Sequence, residues 1–258
     1  MHPLDVQQRK WIYRPGAAPR APRQIAEPEL WIAHRTPPAR LHALWLAAPR
    51  PDAPLLLYLH GLRCTLGANL ERMRSLNALG FGVLGIDCRG FGRSTPALPS
   101  EQSVVDDART AWQWLARRHP RAQRFVFGHS LGGAVAVQLA AEVDDAAGVI
   151  VEGTFTSLPD VYRTLRWGWL PLAPWITQRF ESAEHVQRLR APLLVVHGSA
   201  DRSVPPRLGR ALFERASVAK RFVLVPGGSH HDSHALGAAQ YRAALADLFG
   251  LNTHSLQV

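Results

Sequence analysis

Short apolar runs recur along this chain and alternate with stretches of helical periodicity. The runs are LLLYLHG (55–61), GFGVLGID (80–87), RFVFGHS (124–130), AGVIVEG (147–153), PLLVVHG (192–198) and RFVLVPG (221–227). Continuous apolar segments of this length are typical of parallel strands that are covered on both faces. Two earlier runs, ELWIAHR (29–35) and RLHALWLAA (40–48), are separated by TPPA and predict an antiparallel pair.

Amphipathic or small-residue patterns between these strands predict helices. The predicted helices are residues 103–119, 131–143, 207–217 and 238–250. In the first, Val105, Ala108 and Trp112 are three and four residues apart, which places them on one apolar stripe. Strands alternating with helices predict an α/β fold, with about eight strands in a mostly parallel sheet and helices on both faces.

The alternation of predicted strands and helices sets the bounds of the predicted domain. Residues 14–28 read RPGAAPRAPRQIAEP, and their prolines are incompatible with a regular helix. We therefore predict an extended N-terminal arm at residues 1–28, followed by a single domain at residues 29–258.

A segment at about residues 154–190 interrupts the alternation and predicts a short helical cap over the sheet edge. It contains Trp167, Trp169 and Trp175, three of the eight tryptophans. We take these three, together with Arg63, as candidate substrate-binding residues; the alternative for the tryptophans is an ordinary place in the core.

Charge and cysteine content narrow the classes of partner. The net charge is 30 − 20 = +10, which favours nucleic acid, an anionic membrane or acidic substrates. The arginines are scattered, and their densest group, RRHPRAQR, has no interleaved aromatic residues, so nucleic-acid binding is not expected. Peripheral membrane contact has no support from an amphipathic helix in the arm.

Only Cys64 and Cys88 are cysteines, and the first residues lack an apolar signal region, so we predict a cytoplasmic location.

The clearest chemical motif is Gly-His-Ser-Leu-Gly at residues 128–132, between a predicted strand and a predicted helix. This G-x-S-x-G pattern in this context predicts a sharp turn that presents Ser130 as a nucleophile at the start of the helix. A serine hydroxyl needs a general base, and the base needs an orienting acid. The acid and base must therefore be found elsewhere in the chain.

Two further strand ends supply these partners. Asp201 follows PLLVVHG and His230 follows RFVLVPG, so all three side chains lie at the carboxyl ends of strands, in the order Ser, Asp, His. Glu152 also follows a strand and is the alternative acid. A metal site formed by the histidines and aspartate of residues 230–234 is a weaker alternative, because the loop has no helical spacing to aim ligands.

Acyl transfer also requires backbone N–H donors for a developing oxyanion. Leu131, directly after the nucleophile, supplies one candidate donor. Leu62 supplies the other, because it follows His60-Gly61 at the end of an early strand. A simple turn at the strand end is the alternative for Leu62.

These motifs resemble those of the α/β-hydrolase superfamily, and within it the Bem46-like, ABHD13-like and ABHD17-like small serine hydrolases. The matching pieces are HG (60–61), DCRGFGRS (87–94), GHSLGG (128–133), EGTFTS (152–157), HGSADRSVP (197–205) and PGGSHHD (226–232). The resemblance implies an α/β-hydrolase fold, with Ser130 as nucleophile, Asp201 as acid, His230 as base and Leu62 and Leu131 as oxyanion donors. It also implies no metal and no cofactor. Cys88 and His231 depart from the family pattern, which weakens any transfer of substrate identity.

The predicted function is hydrolysis of a carboxylic ester or thioester through an acyl-enzyme on Ser130. The expected partner is a small-molecule substrate with a small or medium apolar acyl group. A peptidase or amidase of the same mechanism is one alternative, and a non-catalytic binding module is another. The sequence leaves the natural substrate and the oligomeric state open.

Overall fold

A computed structural model describes residues 2–15 and 26–251. It contains one eight-stranded sheet. The strands are β1 (Glu29–His34), β2 (Ala39–Leu46), β3 (Leu55–Leu59), β4 (Gly82–Ile86), β5 (Arg124–His129), β6 (Ala146–Glu152), β7 (Leu193–Gly198) and β8 (Lys220–Val225).

The strand order is β1-β2-β4-β3-β5-β6-β7-β8. β1 and β2 are antiparallel, β2 is antiparallel to β4, and every pairing from β4 to β8 is parallel. The antiparallel pair and the mostly parallel sheet confirm the predicted α/β-hydrolase fold. Because the parallel strands share one direction, the loops after β3, β5, β6, β7 and β8 meet at one edge of the sheet.

Helices cover both faces of this sheet. They are α1 (Pro3–Tyr13), α2 (Leu70–Ala78), α3 (Glu101–Arg118), α4 (Leu131–Glu142), α5 (Leu158–Thr164), α6 (Ser182–His185), α7 (Pro206–Arg215), α8 (Ser233–Leu236) and α9 (Ala238–Phe249). Buried residues of α3, α4 and α7 pack with one set of strand side chains, and those of α2 and α9 pack with the other set. β3, β5 and β7 are buried at every position, which explains their continuous apolar sequences.

The N-terminal segment differs from the prediction. The expectation of an extended arm at residues 1–28 is wrong for Pro3–Tyr13, which is helix α1. Proline is compatible with the first turn of a helix, and the His2 ring caps α1 by accepting a hydrogen bond from the Leu4 N–H at 3.2 Å. α1 ends at Tyr13, with Arg14 as its C-cap just before Pro15, and residues 16–25 of the predicted arm lie outside the described residues.

The segment between β6 and β7 forms a cap of short helices and turns. It contains α5, a 3₁₀ turn at Ala173–Trp175, α6 and a second 3₁₀ turn at Val186–Arg188. Its two ends are held together where the Leu158 N–H donates to the Arg179 carbonyl at 2.8 Å. Among the helices of residues 2–15 and 26–251, none combines the length and apolarity needed to cross a bilayer.

Candidate active site

Ser130 occupies a strained turn between β5 and α4. Its backbone has φ 54° and ψ −121°, a conformation that non-glycine residues rarely adopt. The turn is tight, because a Cβ on Gly128 would lie 2.1 Å from the Gly132 carbonyl oxygen. The Ser130 N–H donates to the Glu152 carbonyl at 2.9 Å, which ties the turn to the end of β6. This strand-turn-helix geometry lifts the Ser130 side chain above the sheet edge.

The predicted oxyanion donors belong to the two segments that adjoin this serine. Leu131 is the first residue of α4. Leu62 follows Gly61, where an added Cβ would lie 3.1 Å from the Ser130 Cβ. Neither the Leu62 nor the Leu131 N–H donates to another of the described residues, so both remain available to a ligand oxygen.

A buried carboxylate braces the loop that carries Leu62. Asp87, at the end of β4, accepts a hydrogen bond from the Leu66 N–H at 3.0 Å and lies 3.4 Å from the His60 ring. Burial opposes ionisation of Asp87, but hydrogen bonds from His42 and His60 outweigh it and hold the pKa of Asp87 well below its usual range. The loop after β3 is therefore anchored to a permanent negative charge.

Asp201 and His230 form a hydrogen-bonded pair at the same edge. The His230 Nδ1–H donates to Asp201 Oδ2 at 2.7 Å. The other carboxylate oxygen accepts from the Ser203 and Val204 N–H groups, each at 2.8 Å. Burial raises the pKa of Asp201, but hydrogen bonds from His197 and His230 outweigh this effect and hold the pKa well below its usual range.

His197 contacts the Asp201–His230 pair, and no role for it was predicted from the sequence. Its ring is fully buried, and its Nε2 lies 2.8 Å from the Val204 carbonyl and 3.4 Å from Asp201 Oδ2. The only signal in the sequence is its place at the end of PLLVVHG, four residues before Asp201. His197 thus fixes both the carboxylate and the loop that carries it.

Several contacts bring the Ser130 turn and the His230 loop together. His129 Nε2 lies 2.8 Å from the His230 carbonyl, and the two rings are 4.7 Å apart. Gly153 is packed under the pair, since a Cβ there would lie 3.2 Å from His230 Nδ1. Among the described residues no hydrogen bond joins Ser130 Oγ to the His230 ring. Such contacts commonly tighten only when substrate binds.

His129 is an uncharged neighbour of the His230 ring. Burial, followed by the positive charge of Arg72 and the nearby His230, holds the pKa of His129 well below its usual range. Its Nε2–H donates to the His230 carbonyl, and its Nδ1 has no partner among the described residues. His129 therefore supports the histidine loop as a neutral ring.

Glu152, the alternative acid, is engaged elsewhere. Its Oε1 accepts from Arg72 Nε at 3.2 Å, and its Oε2 accepts from the Tyr241 hydroxyl. Arg72 also donates to the His231 carbonyl at 2.9 Å. Glu152 thus supports the histidine loop from below through Arg72, while Asp201 holds the His230 ring.

The candidate substrate-binding residues lie at the surface of the protein. Trp167, Trp169 and Trp175 are 59%, 73% and 65% exposed, so their alternative place in the core is wrong. Arg63 is also exposed, and its Nη2 donates to the Trp11 carbonyl at 3.2 Å. α1 therefore borders the loop that carries Leu62.

Two cavities differ in size and in distance from the serine turn. One of about 20 Å³ lies between the end of β3 and the start of α4, lined by Leu59, His60, Gly61, Cys88, Phe91, Val104, Leu131, Gly132 and Val135. A larger one of about 440 Å³ lies far from the serine turn, beside β8, α7 and α9. Within the described residues, no three His, Cys, Asp or Glu side chains converge as a metal site.

A serine at a strand-to-helix turn, on the edge of a mostly parallel sheet, is characteristic of α/β-hydrolases, and the chain is a hydrolase of this class. It belongs to the family described as serine aminopeptidase, S33, whose sequence profile matches residues 50–183. That span is more than half of the 258 residues.

Relatives in sequence support the predicted resemblance to Bem46-like proteins. Protein bem46 of Schizosaccharomyces pombe is 33% identical over 218 residues, which cover 81% of this chain and 72% of bem46. An uncharacterized protein of Mycobacterium tuberculosis is 37% identical over 72% of this chain and 66% of its own length. The lysophosphatidylserine lipase ABHD12 of Danio rerio is 32% identical over 65% of this chain and 48% of its own length. The chain therefore spans less than two thirds of the latter two relatives.

Solved structures share the fold at low sequence identity. Est1E of Butyrivibrio proteoclasticus, with ferulic acid bound, has a TM-score of 0.71 and 19% identity, over 86% of this chain and 99% of Est1E. The Pyrococcus furiosus esterase Pf2001 has a TM-score of 0.73 and 16% identity, over 92% of this chain and 97% of the esterase. At this identity the likeness supports the fold alone.

Proposed function

We propose that the chain hydrolyses a carboxylic ester or thioester by nucleophilic catalysis at Ser130. The observation that carries this proposal is the 2.7 Å hydrogen bond between His230 and Asp201, at the same sheet edge as the strained Ser130 turn. A nucleophile, a base that takes its proton and an acid that orients the base are what acyl transfer through a serine requires.

The proton movements follow from the hydrogen bonds of His230. Because Nδ1–H donates to Asp201, Nε2 is the unprotonated ring nitrogen and accepts the Ser130 proton as the hydroxyl attacks the carbonyl carbon. The resulting imidazolium is stabilised by the Asp201 carboxylate. His230 then returns the proton to the leaving group, and water attacks the acyl-enzyme by the reverse path.

The oxyanion that forms during attack requires preorganised donors. The Leu62 and Leu131 N–H groups supply them, since both belong to segments that adjoin Ser130 and neither is used by another of the described residues. Donors of this kind are worth about 10²–10³ in rate each. The positive end of α4 adds to the same stabilisation.

The acyl group is proposed to be small or medium in size and apolar. The cavity of about 20 Å³ beside Gly61 is too small to hold an acyl chain, and the exposed tryptophans of the cap supply the apolar surface for one in this proposal. The names of the Pyrococcus furiosus esterase Pf2001 and of the lipase ABHD12 favour an ester substrate. A cytoplasmic location and a single domain at residues 29–258 remain part of the proposal.

Peptide or amide hydrolysis is a second candidate function. The name of the family to which the chain belongs, serine aminopeptidase, favours it. The same Ser130, Asp201 and His230 would serve, because amide and ester hydrolysis differ mainly in protonation of the leaving group. Matched ester and anilide substrates with one acyl group distinguish the two functions by their relative kcat/KM.

Labelling with a fluorophosphonate tests the nucleophile directly. We expect wild type and Ser217→Ala to be labelled and Ser130→Ala to remain unlabelled, because Ser217 is an exposed serine outside the site. Equal labelling of all three proteins, or of none, would refute Ser130 as the nucleophile. The matched substrates, graded by acyl length, then define the substrate class.

A further inference from the structure

Large apolar side chains are exposed mainly in two segments of the described chain. Seven of the ten exposed large hydrophobic residues fall in α1 and the cap. They are Leu4, Trp11, Leu165, Trp167, Trp169, Leu172 and Trp175, which we call the aromatic face. Contiguous exposed apolar surface of this kind marks a site of interaction.

Hydrogen bonds join the two segments into one surface. Gln8 Nε2 donates to the Trp175 carbonyl at 2.7 Å, and Gln8 Oε1 accepts from the Thr177 N–H at 2.9 Å. Leu4, Gln8 and Trp11 are four and three residues apart in α1, so they share one side of that helix. α1 and the cap therefore adjoin at Gln8, Trp175 and Thr177.

The aromatic face lies beside the candidate active site. The Trp11 carbonyl accepts a hydrogen bond from Arg63, which directly follows the proposed oxyanion donor Leu62. At the other side, the cap begins a few residues after Gly153, which packs under His230 and Asp201. A ligand held at this face would approach the serine edge of the sheet.

Unpaired cations accompany the apolar residues. Lys10, Arg14, Arg63 and Arg166 are exposed, and none has a carboxylate partner among the described residues. The nearby carboxylates Asp160 and Glu181 are each already paired with an arginine. Burial, and then the positive charge of Arg14, lowers the pKa of Arg63.

We propose that the aromatic face docks on an anionic lipid surface. Tryptophan rings favour the headgroup level of a membrane, and exposed cations next to them bind anionic headgroups. A second copy of this chain fits the face less well, because a symmetric contact would bring the two sets of unpaired cations together. The docking does not depend on the reaction at Ser130.

Vesicle flotation in the Ser130→Ala background tests this proposal without lipid turnover. We expect binding to phosphatidylcholine vesicles that contain phosphatidylglycerol, and at least about tenfold weaker binding for Trp169→Ser/Trp175→Ser. Trp31→Ser is the matched control, because Trp31 is 41% exposed on β1, away from the aromatic face, and it should bind like the parent protein.

Charge variants separate the contribution of the exposed cations to vesicle binding from that of the tryptophans. Lys10→Gln/Arg14→Gln should weaken binding to the anionic vesicles roughly 30-fold, at about 1 kcal/mol per cation, and leave binding to pure phosphatidylcholine unchanged. Thermal unfolding of each variant checks that the fold is intact. Absence of vesicle binding by the parent protein, or equal binding by the tryptophan variant, would overturn the proposal. A dimer in light scattering that Trp169→Ser/Trp175→Ser dissociates would assign the face to self-association instead.

Discussion

The buried pair of Arg72 and Glu152 gives the sharpest test of how the histidine loop is supported. Their side chains are 6% and 1% exposed, and Arg72 Nε lies 3.2 Å from Glu152 Oε1. Glu152→Gln removes the negative charge and leaves the guanidinium buried. Removing one partner of a buried pair costs about 3–5 kcal/mol. We expect the lower end, about 3 kcal/mol, because the glutamine oxygen still accepts one hydrogen bond.

Equilibrium unfolding in urea measures this loss in the free energy of unfolding. Thermal unfolding gives a second readout, because in a chain of this size each kcal/mol corresponds to about 2–4 °C in Tm, so the Tm should fall by about 6–12 °C. Glu142→Gln is the matched control, because Glu142 pairs with Arg109 where both side chains are about one third exposed. That pair should contribute only about 0–1 kcal/mol. Equal, small losses in both variants would refute the argument from burial.

Fluorophosphonate labelling of the same variant separates support from catalysis. Glu152→Gln should still be labelled at Ser130, but more slowly, because Arg72 also holds the His231 carbonyl at 2.9 Å. Complete loss of labelling in a folded variant, together with retained activity of Asp201→Asn, would transfer the role of acid to Glu152.

Three other substitutions test separate parts of the site. Asp201→Asn should lower kcat by about 10⁴, and a loss within about tenfold would contradict its role as acid. Asp87→Asn should flatten the acid dependence of stability in urea unfolding. Because the pKa of Asp87 is lowered in the folded protein, its carboxylate stabilises the fold above the pKa of about 3.9 that it has in the unfolded chain. This stabilisation is lost as the pH falls from there toward the pKa of the folded state. Asp52→Asn is the control and should keep the wild-type slope, because Asp52 is exposed. Gly132→Ala should give little folded protein in a solubility assay, because the added Cβ would lie 2.2 Å from the Leu59 carbonyl oxygen.

The positions of the proposed triad could be predicted because they depend on local sequence and a simple topology. Ser130, Asp201 and His230 each follow a continuous apolar strand. Parallel strands align their carboxyl ends, so residues far apart in the chain must meet at one edge. The hydrogen bond from His230 to Asp201 is the main structural support for that expectation.

The supporting residues could not be predicted, because their environment depends on distant partners. α2 was missed, and its Arg72 would ordinarily be assigned to the surface; it is buried because Glu152, eighty residues away, neutralises it. His197 appears as one more strand residue until Asp201 and the Val204 carbonyl are placed beside it. Helix α1 was also not predicted, because the prolines of residues 14–28 favoured an extended arm. The proline of α1 itself lies in the first turn, where it is compatible with a helix.

α1 changes how the substrate side of the proposed site is understood. Gln8 holds the cap at Trp175, and the Trp11 carbonyl holds Arg63, the residue after the proposed oxyanion donor Leu62. Tyr13 anchors the same helix, since its ring is fully buried and its hydroxyl donates to Gln178 at 3.2 Å. α1 therefore contacts both the cap and the loop beside Ser130. Because the proposed substrate-binding residues and the proposed oxyanion donor border the same helix, we expect a truncation that removes α1 to alter both KM and kcat.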